Sequence, residues 1–310
     1  MAANVETMFY TRTAPWHGLG ERVEAALCSK EALTKSGLDW NVIQRPLMTE
    51  EGLKVPGYFA NVRDMDNSVL GVVTERYKIV QNMEAFAFTD ELIGNAVRYE
   101  TAGSLQAGKK VWLLARMAKE NYMVGERITP YMVLSNSHDG SGAIKVAMTP
   151  IRVVCQNTLN LALSSADRIW TAKHTGDVQG KLLEAKETLF RAEDYMDKLG
   201  EEFKLLSKLK MSDAKVEELL QLLLPISEEA TELQVRNMER LREEVAIRYY
   251  NAPDLKVLPK NGYRFINAVS DFATHGKPLR ETKNYQENLF NKTMDGNALI
   301  DKAHQLVKIA

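Results

Sequence analysis

Residues 149–170 carry side chains suited to gripping anions rather than to breaking bonds. Read as a helix with Thr149 as cap and Pro150 in the first turn, the stretch sets Arg152, Gln156 and Asn160 at i, i+4 and i+8 along one polar stripe,. Asn157, Ser164 and Arg168 fall beside it, while Val153, Val154 and Leu161 supply the opposite, apolar side. Guanidinium and carboxamide groups donate to phosphate oxygens and base edges without acid–base chemistry. The alternative is structural: Gln156 and Asn157 bonding to loop backbone, and Arg152 pairing with a buried acid.

Other cations recur near turns. Gly108-Lys109-Lys110 precedes an apolar run and reads as a hairpin tip able to meet a phosphate backbone, but it lacks the spacing and the helix of a P-loop. Glu75-Arg76-Tyr77-Lys78 offers Arg76 and Lys78 as cations and Tyr77 as an aromatic face for stacking,. The polar stretch SNSHDGSG at 135–142 reads as a turn between two strands,. It also holds hydroxyls and backbone N–H groups for an anion, or His138 and Asp139 for a metal. The five histidines, 17, 138, 174, 275 and 304, are dispersed, so no metal site can be written from spacing. Trp16 and His17 read as a packed loop, and Cys155 as a buried thiol. No Gly-x-Ser-x-Gly, dinucleotide fingerprint or paired-carboxylate signature is present. The residues imply no catalytic set, no cofactor and no metal.

The average charge is uninformative, since 40 basic residues face 41 acidic ones. Its distribution is uneven: residues 101–175 hold nine basic residues against four acidic ones, a local excess of five positive charges. Facing one way, that excess would be the footprint of an anionic partner; scattered, it is a solvated surface. With 45% hydrophobic and 26% charged residues the composition is that of a globular chain and excludes disordered and fibrous classes. No apolar run reaches the ~18 residues of a membrane span. The first ten residues carry no secretory leader, and two distant cysteines, Cys28 and Cys155, make no disulfide framework,. Together these suggest a cytoplasmic chain without membrane contact.

These groups must be positioned by two kinds of element. Short runs rich in Val, Ile, Leu and aromatics at 58–62, 69–74, 111–115, 131–134 and 143–148 are bounded by turn residues and read as antiparallel strands, several joined as hairpins,. Helical spacing is inserted at 29–35, with Ser29 as cap, at 83–93 and at 151–166. After residue 180 the three-to-four-residue spacing takes over: 181–209, 213–224 behind Ser212, 227–250, 262–274 and 285–307,. The expectation is an α+β chain: a β-hairpin-rich N-terminal domain with inserted helices over 1–180, then a helical region over 181–310 for assembly or partner binding.

Several of these segments carry a family resemblance. GVVTERYKIVQNMEAFAF (71–88), YETAGSLQAGKKVW (99–112), LSNSHDGSG (134–142) and TPIRVVCQNTL (149–159) resemble signatures of the "domain of unknown function 932" family. PWHGLG (15–20) and YRFINAVSDFATHGKP (263–278) resemble its phage- and plasmid-like subgroup. The resemblance covers nearly the whole chain. It implies a task in phage or plasmid DNA metabolism, or against host defence, in the cytoplasm of a bacterial host. The hairpin-then-helix order is also similar in architecture to phage annealing proteins that form rings on single strands. The expectation is a nucleic-acid binder or annealing protein, with single-stranded DNA favoured, that forms a homo-oligomer; a non-enzymatic protein that inhibits a host defence factor is the alternative. An enzyme acting on nucleic acid is the third and weakest reading, for want of a catalytic set. The residues expected to bind are Arg76, Lys78, Lys109, Lys110, Arg152, Gln156, Asn157, Asn160 and Arg168.

Overall fold

A computed structural model describes residues 5–11, 21–23, 28–93, 98–117, 121–152, 157–158, 169–276 and 297–309. Trp16, His17, Cys155, Gln156, Asn160 and Arg168 lie outside them, and the side chains at 151–168 are not described. The described chain is α+β: the strands all lie before residue 173, with two helices among them, and the other helices lie after residue 177.

The chain divides into two compact units. The first takes residues 1–119, 131–148 and 166–192, the second 120–130, 149–165 and 193–310. Twelve strands are described: β1 Val5–Tyr10, β2 Glu21–Arg22, β3 Val42–Met48, β4 Lys54–Arg63, β5 Val69–Thr74, β6 Arg98–Leu105, β7 Lys110–Arg116, β8 Asn121–Met123, β9 Glu126–Ser137, β10 Ile144–Arg152, β11 Asn157–Thr158 and β12 Ile169–Ala172. Nine form one sheet in the order β11-β10-β9-β7-β6-β1-β2, with β12 on β10 and β8 on β9; β3-β4-β5 form a second. Both rest on antiparallel hairpins, as the alternating runs require. On β7, Val111, Leu113 and Ala115 point inward at the two-residue period of a strand,. They join Leu134, Ile144, Val146, Leu70 and Trp40 in a core closed by helices α1, Ser29–Lys35, and α2, Asn82–Ile93, through Leu33 and Phe86.

Two local expectations differ from the structure, and one strand lies where none was expected. The cap of α1 is Cys28, one residue earlier than Ser29, and its N–H donates to the Glu31 carboxylate (3.2 Å). The strand β3 was not legible because it is mostly exposed and contains Pro46, which a sheet tolerates at its edge. Residues 151–152 and 157–158 are strands, Arg152 paired with Asn157 and Ile151 with Thr158, so the polar stripe does not lie on a helix there. The reason is the residue before proline: Pro150 pushes Thr149 out of the α region, and the alternation from Ile144 onward continues the strand. Pro150, which cannot donate, falls between the register with β12, ending at Ala147, and that with β11, beginning at Ile151.

The later helices of the chain are α3 Val178–Lys208, α4 Asp213–Leu223, α5 Glu232–Asn251, α6 Gly262–His275 and α7 Ala298–Ile309. Ser212 caps α4 by accepting from the Lys215 N–H (3.2 Å). In the second unit Phe203, Leu219, Tyr249, Phe265 and Ile300 make a buried core. Arg264, buried on α6, donates to the carbonyls of Tyr249 (2.7 Å) and Tyr250 (3.3 Å) at the end of α5, which the helix leaves unpaired, and to that of Leu258 (2.9 Å) in the connection that follows. His304 on α7 meets Glu202 on α3 at 2.8 Å, beside Lys308 at 3.1 Å. Among the described residues no helix is long and apolar enough to cross a membrane.

Candidate functional site

In the first unit, the turn between β9 and β10 is gripped by elements from the earlier chain. Gly71 on β5 lies against it so closely that a Cβ there would stand 2.5 Å from the Asp139 Cα. Only glycine permits that approach. Asn61 on β4 gives its side-chain amide to the His138 carbonyl (2.7 Å). The Tyr77 hydroxyl donates to the Ser137 carbonyl (2.5 Å), and the Asn136 amide to the Val80 carbonyl (2.9 Å).

The turn satisfies itself. Asp139 Oδ1 accepts from the Ser137 hydroxyl (2.5 Å) and the Ser141 N–H (2.9 Å), and the Gly142 N–H donates to Ser137 Oγ (3.2 Å). Burial pushes the Asp139 carboxyl up, but those bonds, with Lys110 nearby, outweigh it and hold its pKa below the usual range,. The N–H groups of Ser141 and Gly142 are therefore spent on the chain's own oxygens rather than offered to an external anion.

Two histidines stand behind the turn. Asn82 gives its amide to the Leu38 carbonyl (3.0 Å), so its Oδ1 faces His138, whose Nε2 donates (2.9 Å). Trp40 packs edge-on against that imidazole at 5.4 Å. His174 donates Nδ1–H to the Lys78 carbonyl (2.9 Å) and stacks on Tyr77 at 4.6 Å. Burial, with His174 close by, drives the His138 pKa down to about 3; burial lowers that of His174 as well. Both rings are neutral at pH 7. Their second nitrogens are buried and face no protein donor, like Asn61 Oδ1 and Asn136 Oδ1; ordered water is the ordinary donor for such groups. Neither nitrogen reaches solvent, so neither is placed as a base for an external substrate. Among the described residues no three His, Cys, Asp or Glu side chains come together to hold a metal.

A cavity of about 450 Å³ opens beside this core, between 72–74 on β5, Tyr77, residues 140–143 of the turn and 173–175 after β12. Thr74, Ser141 and Thr175 bring hydroxyls and Lys173 an ammonium group; no carboxylate lines it. Four of the nine expected residues collect around the same turn. Arg76 and Lys78 are exposed on either side of Tyr77. The Lys109 carbonyl accepts from the His138 N–H (2.7 Å), and Lys110 pairs with Ser137 across β7 and β9. Lys173, absent from the sequence-based set, joins them because the Lys78 N–H donates to the His174 carbonyl (2.7 Å). Arg152 and Asn157 belong to the second unit, and the remaining three lie outside the described residues.

One expectation is corrected. Tyr77 is not an exposed stacking face: it is buried, its ring on His174 and its hydroxyl bonded. Of the basic residues in 101–175, Arg116 is buried and adds nothing to an exposed surface. Among the described residues the exposed aromatic is Tyr58 on β4, hidden in the sequence as one more residue of an apolar run.

The segments that build this site, 71–82 and 134–142, lie inside a longer match. The family model described as Domain of unknown function (DUF932) matches residues 69–294, well over half of the chain. The chain belongs to that family. The DUF932 match begins at the first residue of β5 and takes in the β9–β10 turn, His174 and the cavity. No curated protein and no solved structure matches the chain.

Proposed function

We propose that this chain is a nucleic-acid-binding protein of the bacterial cytoplasm, serving phage or plasmid DNA metabolism, with single-stranded DNA its favoured partner and a homo-oligomer its working form. The observation that carries the reading is the gathering of Arg76, Lys78, Lys109, Lys110 and Lys173 around one turn and its cavity, in a chain of net charge −1. Such a cluster follows a phosphate backbone, and binding of that kind weakens as salt rises.

The test is electrophoretic shift of single- and double-stranded oligonucleotides at two salt concentrations. The double variant Lys109→Ala/Lys110→Ala binds more weakly at low salt, and its slope of log K against log salt falls by about 0.7 for each single-strand phosphate that the protein no longer neutralises. It weakens all sequences alike, because phosphates carry no base information. Wild-type protein without salt-sensitive binding to any DNA or RNA would overturn the reading. A second reading, an interaction protein that inhibits a host defence factor, then takes its place; the exposed Ile43, Val69 and Val72 favour it.

A further inference from the structure

The outer face of the β3-β4-β5 sheet ends at the cavity. Along the registers Arg45 lies opposite Ala60 and Ala60 opposite Val72; one row further, Tyr58 lies opposite Thr74. Tyr58 is 46% exposed and Val72 50%, and alternation along the strands puts both on the face turned away from Asn61 and Gly71. Val72 and Thr74 also line the cavity that holds Lys173. Neighbouring strands lie about 4.8 Å apart, so a flat aromatic surface and a hydroxyl-and-ammonium seat adjoin each other. Arg45 is exposed one row away on the same face, and Arg76 stands two residues beyond Thr74. Glu75 lies between Thr74 and Arg76, and Arg76 with Lys78 offsets its charge.

From this we infer that Tyr58 is a stacking platform for one nucleobase and that the adjoining cavity seats the neighbouring phosphate, so the site takes single-stranded nucleic acid rather than duplex. A base inside a duplex presents its edge; only an unstacked base can lay its face on a tyrosine ring. The cations select a polyanion, and the ring selects the strand state. The inference rests on the proposed nucleic-acid function.

Fluorescence anisotropy of a labelled oligothymidine and of a duplex, each at two salt concentrations, tests both parts. Tyr58→Ala weakens single-strand binding about 5- to 150-fold, the worth of one stacked base, with the salt slope unchanged. Tyr58→Phe keeps the affinity. Lys173→Ala lowers the slope by about 0.7 instead. Tyr58→Trp gives an independent readout, since its emission falls when a base stacks on it. If wild type binds in a salt-sensitive way but Tyr58→Ala binds equally well, or Tyr58→Trp is not quenched, the stacking inference fails while the proposed function stands. If wild type binds no nucleic acid, the function itself fails. Should Val72→Asp abolish self-association while single-strand affinity is unchanged, the face is a protein interface and the inference is overturned.

Discussion

His138 binds fewer protons folded than unfolded, because burial holds its imidazole neutral down to about pH 3. An unfolded chain protonates it near pH 6.5, so stability rises with pH through this window. The stability is fully present above the unfolded pKa and is lost as pH falls, by about 2 kcal/mol at pH 5 from this group alone. Urea unfolding at pH 7 and pH 5 measures it, and His138→Gln should show a flatter dependence. A steeper dependence in the variant would refute the assignment. Gly71 makes a second prediction at this scale. Gly71→Ala drives a methyl group into the Asp139 backbone and should cost about 1–3 kcal/mol. In contrast, the atoms nearest a would-be Cβ at Gly200 on α3 belong to the flexible Met123 side chain, at 3.6 Å and beyond. Gly200→Ala should therefore gain about 0.5–1 kcal/mol from helix propensity. Equal effects of the two substitutions would count against the packing described.

The β6–β7 connection stores strain beside the cations. Gln106, Ala107 and Gly108 take φ of 55°, 56° and 83° in succession, immediately before Lys109. A left-handed alanine costs roughly 1–2 kcal/mol that glycine avoids. Ala107→Gly should thus raise stability, by up to about 1 kcal/mol after the greater freedom of its unfolded chain is counted. A lower midpoint in thermal unfolding would contradict this. Elements of this kind differ in how far sequence reveals them. β5, β7 and β10 were legible from alternating apolar residues between turns, and α4 from Ser212. The hairpin tip at Lys109-Lys110 was legible too. The stretch after Thr149 was not, because a cap followed by proline fits a helix start and a strand edge equally well. The site was half legible: Arg76, Lys78, Lys109 and Lys110 are cations that any reading notices, whereas the burial of Tyr77 and the exposure of Tyr58 depend on which side of each strand faces the core. Short apolar runs do not encode that choice.

At the scale of the whole molecule, exposed aliphatic side chains remain on the helical unit: Leu222 on α4, and Leu233 and Ile247 on α5. They motivate the proposed homo-oligomer. Light scattering should give a mass that exceeds 35.0 kDa and rises with concentration; the monomer mass at every concentration would exclude assembly. Leu233→Asp/Ile247→Asp should shift the distribution toward monomer while leaving the circular dichroism of the helices intact.

The chain leaves and re-enters its first unit twice before residue 193, and β1 pairs with β6 across some ninety residues of sequence. On a ribosome this order matters. The amino-terminal strand emerges long before its partner, and the unit holding the cations is incomplete until residue 192 has been made. At about 5–20 residues per second that wait is on the order of ten seconds or more, during which unpaired strand edges are open to other nascent chains. Pairings in α4 and α5 are local by comparison and form fast. Expression at low temperature with slowed initiation should therefore improve recovery of the folded chain, and a chaperone that shields strand edges should substitute for it.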